Sequence, residues 1–169
     1  MKAIIVYKSN TGFTQKYAEW IAQALHCEAL PLKESKKIDF SAYDALIFGG
    51  WAFAGNIQGL KEMKPKFEAF RGKKAVFSTG ASPADSPEIA EFLAKNLSDE
   101  ERKSIHAFYM PGGINYDKMR GPHKLMMKMM GNMMKKEHGE DSQQYKDIAI
   151  SHDSTDKKYI EPLLAFIAG

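Results

Sequence analysis

The residues best equipped for chemistry are a short polar cluster, Ser9, Asn10, Thr11, Gly12, Phe13 and Thr14, set between the apolar run Ala3 to Tyr7 and an amphipathic pattern that follows at once. A turn of this composition at the mouth of a helix offers one anion a set of hydroxyls, unpaired backbone N–H groups and the positive end of a helix dipole. The same residue types also build ordinary turns and caps, so composition alone leaves both readings open.

Several phosphate-binding loops occur after a first strand, and the residues discriminate among them. A dinucleotide fingerprint needs three glycines, and this loop has only Gly12. A Walker A loop needs a lysine ahead of its last hydroxyl, which is missing here. A phosphatase-like loop would carry its cysteine in the turn, whereas Cys27 lies beyond the following helical pattern. A receiver domain would place magnesium-binding acids where this chain has Lys8, Ser9 and Asn10. What remains is a loop that solvates a single terminal phosphate, a group that FMN presents.

Two further loops carry suggestive residues. The segment Gly49 to Asn56 combines Trp51 and Phe53 with three glycines, a composition suited to stacking a flat apolar ring and bringing backbone close to it. The segment Ser78 to Pro87 is built of small residues and two prolines, as a rigid loop against the ring's other side would be. Side-chain catalysis has little support. The five histidines are scattered with no nucleophile motif beside them, and no Cys/His spacing suits a metal. No catalytic residue and no metal site are expected, and any chemistry belongs to a cofactor.

These loops need elements to hold them. Lys2 to Tyr7, Glu28 to Leu32, Asp44 to Gly49, Lys74 to Thr79 and Ile105 to Met110 read as strands. Between them, Tyr17, Ala18, Ile21, Ala22 and Leu25 make one helical face, and Ile89, Ala90, Phe92 and Leu93 another. Ser98 with Glu101 predicts a capping box, and Ile160, Leu163, Leu164 and Ile167 predict a last helix that Pro162 delays or kinks. Near-continuous apolar strands alternating with helices predict an α/β fold, a five-stranded parallel sheet with helices on both faces, in one domain spanning 1–169. In such sheets the loops beyond the strands' carboxyl ends converge on one crevice.

The string Ser9-Asn10-Thr11-Gly12-Phe13-Thr14 resembles the phosphate loop of the flavodoxin family, whose pattern is hydroxyl-x-Thr-Gly-x-Thr directly after strand one. "FYMPGGINYDKM", a basic amphipathic segment and "HDSTDKKYI" are further similar to the flavodoxin-like branch containing menaquinone-dependent protoporphyrinogen oxidase, where an insertion, here about 111–153, follows strand five. The likeness spans essentially the whole chain. It implies an FMN-binding redox protein that transfers electrons through the flavin. It also implies that Ser9, Asn10, Thr11, Gly12, Phe13 and Thr14 bind the phosphate, while Trp51, Ala52, Phe53, Ala54, Gly55 and Asn56 with Thr79, Gly80 and Ala81 frame the ring. An electron carrier docking on a redox partner protein and an FMN-dependent enzyme with a quinone-type acceptor both fit, and a flavin-free module binding another phosphate is the third alternative.

Bulk properties narrow the partners. One cysteine, and no recognisable signal segment at the first strand, make a cytoplasmic protein the expectation. The net charge of +3 is local, because 118–136 holds six Lys/Arg and no Asp/Glu and leaves the rest of the chain net acidic. A strongly acidic docking surface is therefore not expected, nor is a nucleic-acid partner. Seven of the ten methionines fall in 119–134. On a helical wheel, Met126, Met127, Met129, Met130, Met133 and Met134 gather within roughly 160°, opposite Lys124, Lys128 and Lys135. The segment predicts either a helix packed on the core or a flap over the crevice that gives 119–136 a peripheral foothold on the inner membrane face.

Overall fold

A computed structural model describes residues 1–169. The parallel sheet has the order β2-β1-β3-β5-β6, formed by β1 (Ala3–Tyr7), β2 (Glu28–Pro31), β3 (Ala45–Phe53), β5 (Lys73–Gly80) and β6 (Ile105–Pro111). Alternate side chains of each strand leave on opposite faces, so two cores form. On one face Ile5, Ile47, Ala75 and Phe77 meet Tyr17, Ala18 and Ile21 of α1 (Phe13–Leu25) and Leu163 and Ile167 of α7 (Glu161–Ala168). On the other, Ile4, Val6, Leu46, Phe48 and Val76 meet Leu60, Met63 and Phe67 of α2 (Leu60–Ala69), with Phe92 and Leu93 of α3 (Glu88–Asn96) against the edge.

The five strands predicted from apolar runs are the five parallel strands, each extended or trimmed by a few residues. The Ser98–Glu101 capping box is present at α4 (Asp99–Arg102). Pro162 sits in the first turn of α7, after a 3-10 turn at Lys157–Ile160, where a proline is tolerated and interrupts no hydrogen bond inside the helix. Helix α2 is an addition to the predicted elements. Its buried residues recur at i, i+3 and i+7, but five lysines or glutamates and an internal Pro65 blur the stripe.

Two features lie outside the parallel sheet. The end of β3 folds back on β4 (Asn56–Ile57) through a two-residue turn whose residues Ala54 and Gly55 both have positive φ, +49° and +76°. That is the primed turn geometry that matches strand twist and favours Asn-Gly. Ala54 is therefore strained. Ala54→Asn is expected to stabilise the fold by about 1 kcal/mol, a rise in melting temperature of roughly 2–4 °C by calorimetry; no rise would mean the hairpin relaxes its strain elsewhere.

The second feature is a neck. Strand β7 (Gly113–Ile114) pairs antiparallel with β8 (His152–Asp153), and between them runs a helical hairpin, α5 (Gly121–His138) and α6 (Gln143–Ala149). Gly113, at φ +125°, leaves its would-be β-carbon 2.2 Å from the His152 carbonyl oxygen, so the two strands approach this closely only because it is glycine. Tyr116 ties the base of the hairpin, donating from Oη to the Ile148 carbonyl at 2.5 Å and from its backbone N–H to Ser151 Oγ at 3.1 Å. Neither core cluster contains a residue of α5 or α6. No helix is long and apolar enough to cross a membrane.

Candidate functional site

The loops after β1, β3, β5 and β6 meet at the carboxyl edge of the sheet, where the order switches between β1 and β3. They enclose a cavity of about 90 Å³ lined by Asn10, Thr11, Phe13, Thr14, Trp51, Ala52, Thr79, Gly80 and Ala81, with Gly112, Gly113, Ile114, Met119, His123 and Met127 closing it from the neck and α5. Nine of the residues singled out from the sequence thus come together around one cavity.

The polar wall is the start of α1. Its N-cap, Gly12 at φ +100°, has no side chain to satisfy the first-turn N–H groups, so these amides have no side-chain partner. Ser9 works inside the loop, its Oγ accepting from the Gly12 N–H at 3.2 Å and leaving its own hydroxyl proton to donate. Thr14 and Thr79 are both buried, and their hydroxyls share a hydrogen bond of 2.7 Å that joins the first-strand loop to β5. Thr11 lines the cavity between them. An uncapped helix start ringed by hydroxyls is a donor set for an anion with several acceptor oxygens.

The apolar wall is Trp51, at the end of β3. Its ring lies 4.8 Å from that of His123 and 5.2 Å from that of Phe53. Phe53 meets the other edge of His123, again at 4.8 Å, and does not line the cavity. Ala54, Gly55 and Asn56 form the hairpin tip beyond it. Asn96 of α3 pins that tip, accepting from the Ile57 N–H at 2.8 Å and donating to the Gly55 carbonyl at 3.1 Å.

His123 is the site residue that the sequence did not mark. Its Nδ1 lies 2.7 Å from Asn10 Nδ2, across 113 residues of chain. With the amide donating, Nδ1 accepts and the ring proton sits on Nε2. Burial lowers the imidazole pKa below its ordinary 6.5, which favours the neutral ring. Histidine, tryptophan and phenylalanine together make an aromatic clasp, and the imidazole, tilted 42° to the indole, fills space beside Trp51. The cavity is accordingly well below the roughly 300 Å³ at which small-molecule pockets begin.

Beyond Ala81, Ile114 and Met127 the cavity gives onto a groove of about 830 Å³ whose apolar lining includes Met130, Met134, Ile148 and Ile150. Of the methionines on α5, none is fully buried, and Met129 and Met133 join Leu125 in an exposed stripe at four-residue spacing. No group of three or more His, Cys, Asp or Glu side chains comes together as a metal would require.

The family model described as "Flavodoxin domain" matches residues 4–141. No curated protein sequence matches the chain significantly. Among solved structures, a flavoprotein in complex with FMN from Lactobacillus acidophilus is 19% identical, with a TM-score of 0.46, covering 65% of this chain and 91% of that one. A flavodoxin from the domain Archaea is 17% identical at a TM-score of 0.47, covering 75% and 90%. The rubredoxin oxygen:oxidoreductase of the anaerobe Desulfovibrio gigas is 14% identical at 0.40, covering 99% of this chain and 37% of that one. These superpositions are loose and carry no information about this chain's ligand.

Proposed function

The chain belongs to the flavodoxin domain family, and from that premise we propose that it binds FMN at the β1/β3 crevice and passes electrons through it. The observation that supports this most is the uncapped start of α1, with Thr11 and Thr14 beside it and Trp51 across the cavity. The helix start, Ser9 and the two threonines would take the phosphate. Trp51 and Ala52 would take one side of the ring, with Thr79, Gly80 and Ala81 at its edge. Phe53, Ala54, Gly55 and Asn56 would act at one remove, through the hairpin that Asn96 fixes. Bound there, the flavin supplies reversible one- and two-electron chemistry, and the protein supplies orientation, a dry apolar wall and hydrogen-bond donors.

Affinity for FMN against riboflavin tests the reading. Thr11→Ala with Thr14→Ala removes two hydroxyl partners of a dianion. Hydrogen bonds to charged groups are worth roughly 1.5–3 kcal/mol each, so FMN affinity should fall at least about tenfold while riboflavin affinity changes little. A wild-type protein that holds riboflavin as tightly as FMN would overturn the phosphate assignment.

The electron acceptor has two readings. A redox partner protein is the general one for a carrier of this family. A quinone-type acceptor, as in the branch containing protoporphyrinogen oxidase, is supported by the methionine-lined groove that adjoins the ring site. The exposed stripe Leu125, Met129 and Met133, set among Lys124, Lys128, Lys135 and Lys136, supports peripheral contact of 119–136 with an anionic membrane face.

A further inference from the structure

The phosphate loop is flanked in sequence by two lysines, and neither is free to serve it. Lys8 pairs with Glu62 at 3.1 Å, and Lys16 pairs with Asp153 at 2.8 Å. A third ammonium arrives from far along the chain. Lys118 Nζ lies 3.6 Å from the point where a β-carbon on Gly12 would stand, the nearest atom to that position. Lys118 forms no ion pair and is solvent-exposed.

Its placement is built, because the turn that carries it is held at both ends. The Lys118 N–H donates to Asn115 Oδ1 at 3.1 Å, and the Met119 N–H donates to the Asn115 carbonyl at 3.1 Å. Met119 itself is buried against the cavity. One residue upstream of this turn, Ile114 is held in the neck by His152. The neck thus sets the direction in which the long side chain reaches.

We propose that Lys118 is a phosphate-binding residue, an ammonium that closes over the outer side of the Gly12 loop and makes cofactor choice depend on the phosphate. The inference rests on the FMN reading of the site. A dianion held by backbone amides and hydroxyls alone lacks a counter-charge, and an unpaired ammonium at the loop's rim supplies one at little desolvation cost because its head stays in water. It also ties the neck to the ligand: the segment that presents Lys118 leads within five residues to His123 on the ring side.

Lys118→Gln keeps a polar side chain only one atom shorter and removes the charge. Titrations of FMN and riboflavin into the wild type, Lys118→Gln and Lys118→Arg at low and high salt decide the matter. An exposed charge contact to phosphate is worth less than a buried one, so Lys118→Gln should lose about fivefold to tenfold in FMN affinity at low salt and nothing for riboflavin. Lys118→Arg should retain most of the affinity, and the wild type should lose its advantage over Lys118→Gln as salt screens the pair. Equal losses for FMN and riboflavin would make Lys118 a structural residue of the turn, and unchanged FMN affinity would remove it from the site; both overturn the proposal while a preference of the wild type for FMN still stands. A wild type indifferent to the phosphate would overturn the FMN reading and this inference together.

Discussion

Replacing His123 with alanine should tighten flavin binding by about fivefold to a hundredfold. In the structure the imidazole lies 4.8 Å from the Trp51 ring at a tilt of 42° and 2.7 Å from Asn10 Nδ2, filling space that a flat ring laid on the tryptophan there would need. Ligand binding must therefore break the aromatic contact and the hydrogen bond, each worth roughly 0.5–1.5 kcal/mol. Alanine removes both costs and widens the cavity. Equal or weaker flavin binding by the folded variant would mean that His123 holds the ring in place of blocking it.

The same residue predicts a pH dependence of known sign. Burial depresses the imidazole pKa while the ring is docked. A base whose pKa is lowered in one arrangement binds fewer protons there, so the docked arrangement is fully favoured above the ordinary pKa of 6.5 and loses ground as pH falls through it. Riboflavin should thus bind the wild type more tightly as pH drops from about 8 to about 5.5, a trend that His123→Ala abolishes. Riboflavin is the appropriate ligand because the phosphate of FMN loses charge near pH 6 and would act in the opposite direction.

Which parts of the site were legible follows from how far apart the contributing residues lie in sequence. Thr11, Thr14, Trp51 and Thr79 each follow an apolar run that could only be an interior strand, so the rule that ligands sit beyond the carboxyl ends of parallel strands puts them in one crevice without further information. His123, Met119 and Lys118 follow no strand of the parallel sheet. They reach the crevice because Gly113 lets β7 and β8 approach closely enough to form a neck, and each of those strands is two residues long, too short to show a period. The sole local signal was a histidine in the first turn of a helix rich in methionine and lysine. The hairpin Phe53–Asn56 does not line the cavity, for a related reason. Its composition suits a flavin, but Ala54 and Gly55 form a tight turn that carries the tip past the cavity toward α3.

Deleting the whole helical hairpin, Asp117–Ile150, and bridging Tyr116 to Ser151 with a short Gly-Ser turn should leave a folded domain. The two stubs are already within hydrogen-bond reach, Tyr116 N–H to Ser151 Oγ at 3.1 Å, so the bridge merely extends the β7–β8 ribbon. Of the buried residues only Met119 and Gly131 are lost, and neither belongs to a core cluster. Losing one buried methionine costs about 2–5 kcal/mol at most, so heat unfolding should remain a single cooperative transition with its midpoint lowered by no more than roughly 15 °C. What disappears is the outer wall of the crevice together with Leu125, Met129, Met133 and the six basic side chains of 118–136. Flavin held by the shortened protein should become open to quenching by iodide. Sedimentation with anionic vesicles, in which each basic residue near the surface adds about 1 kcal/mol, should be lost. Loss of cooperative unfolding would make the methionines part of the core. Undiminished vesicle binding would place the membrane contact elsewhere on the molecule, because on this architecture α5 is the element that joins an exposed apolar stripe to a surplus of lysine.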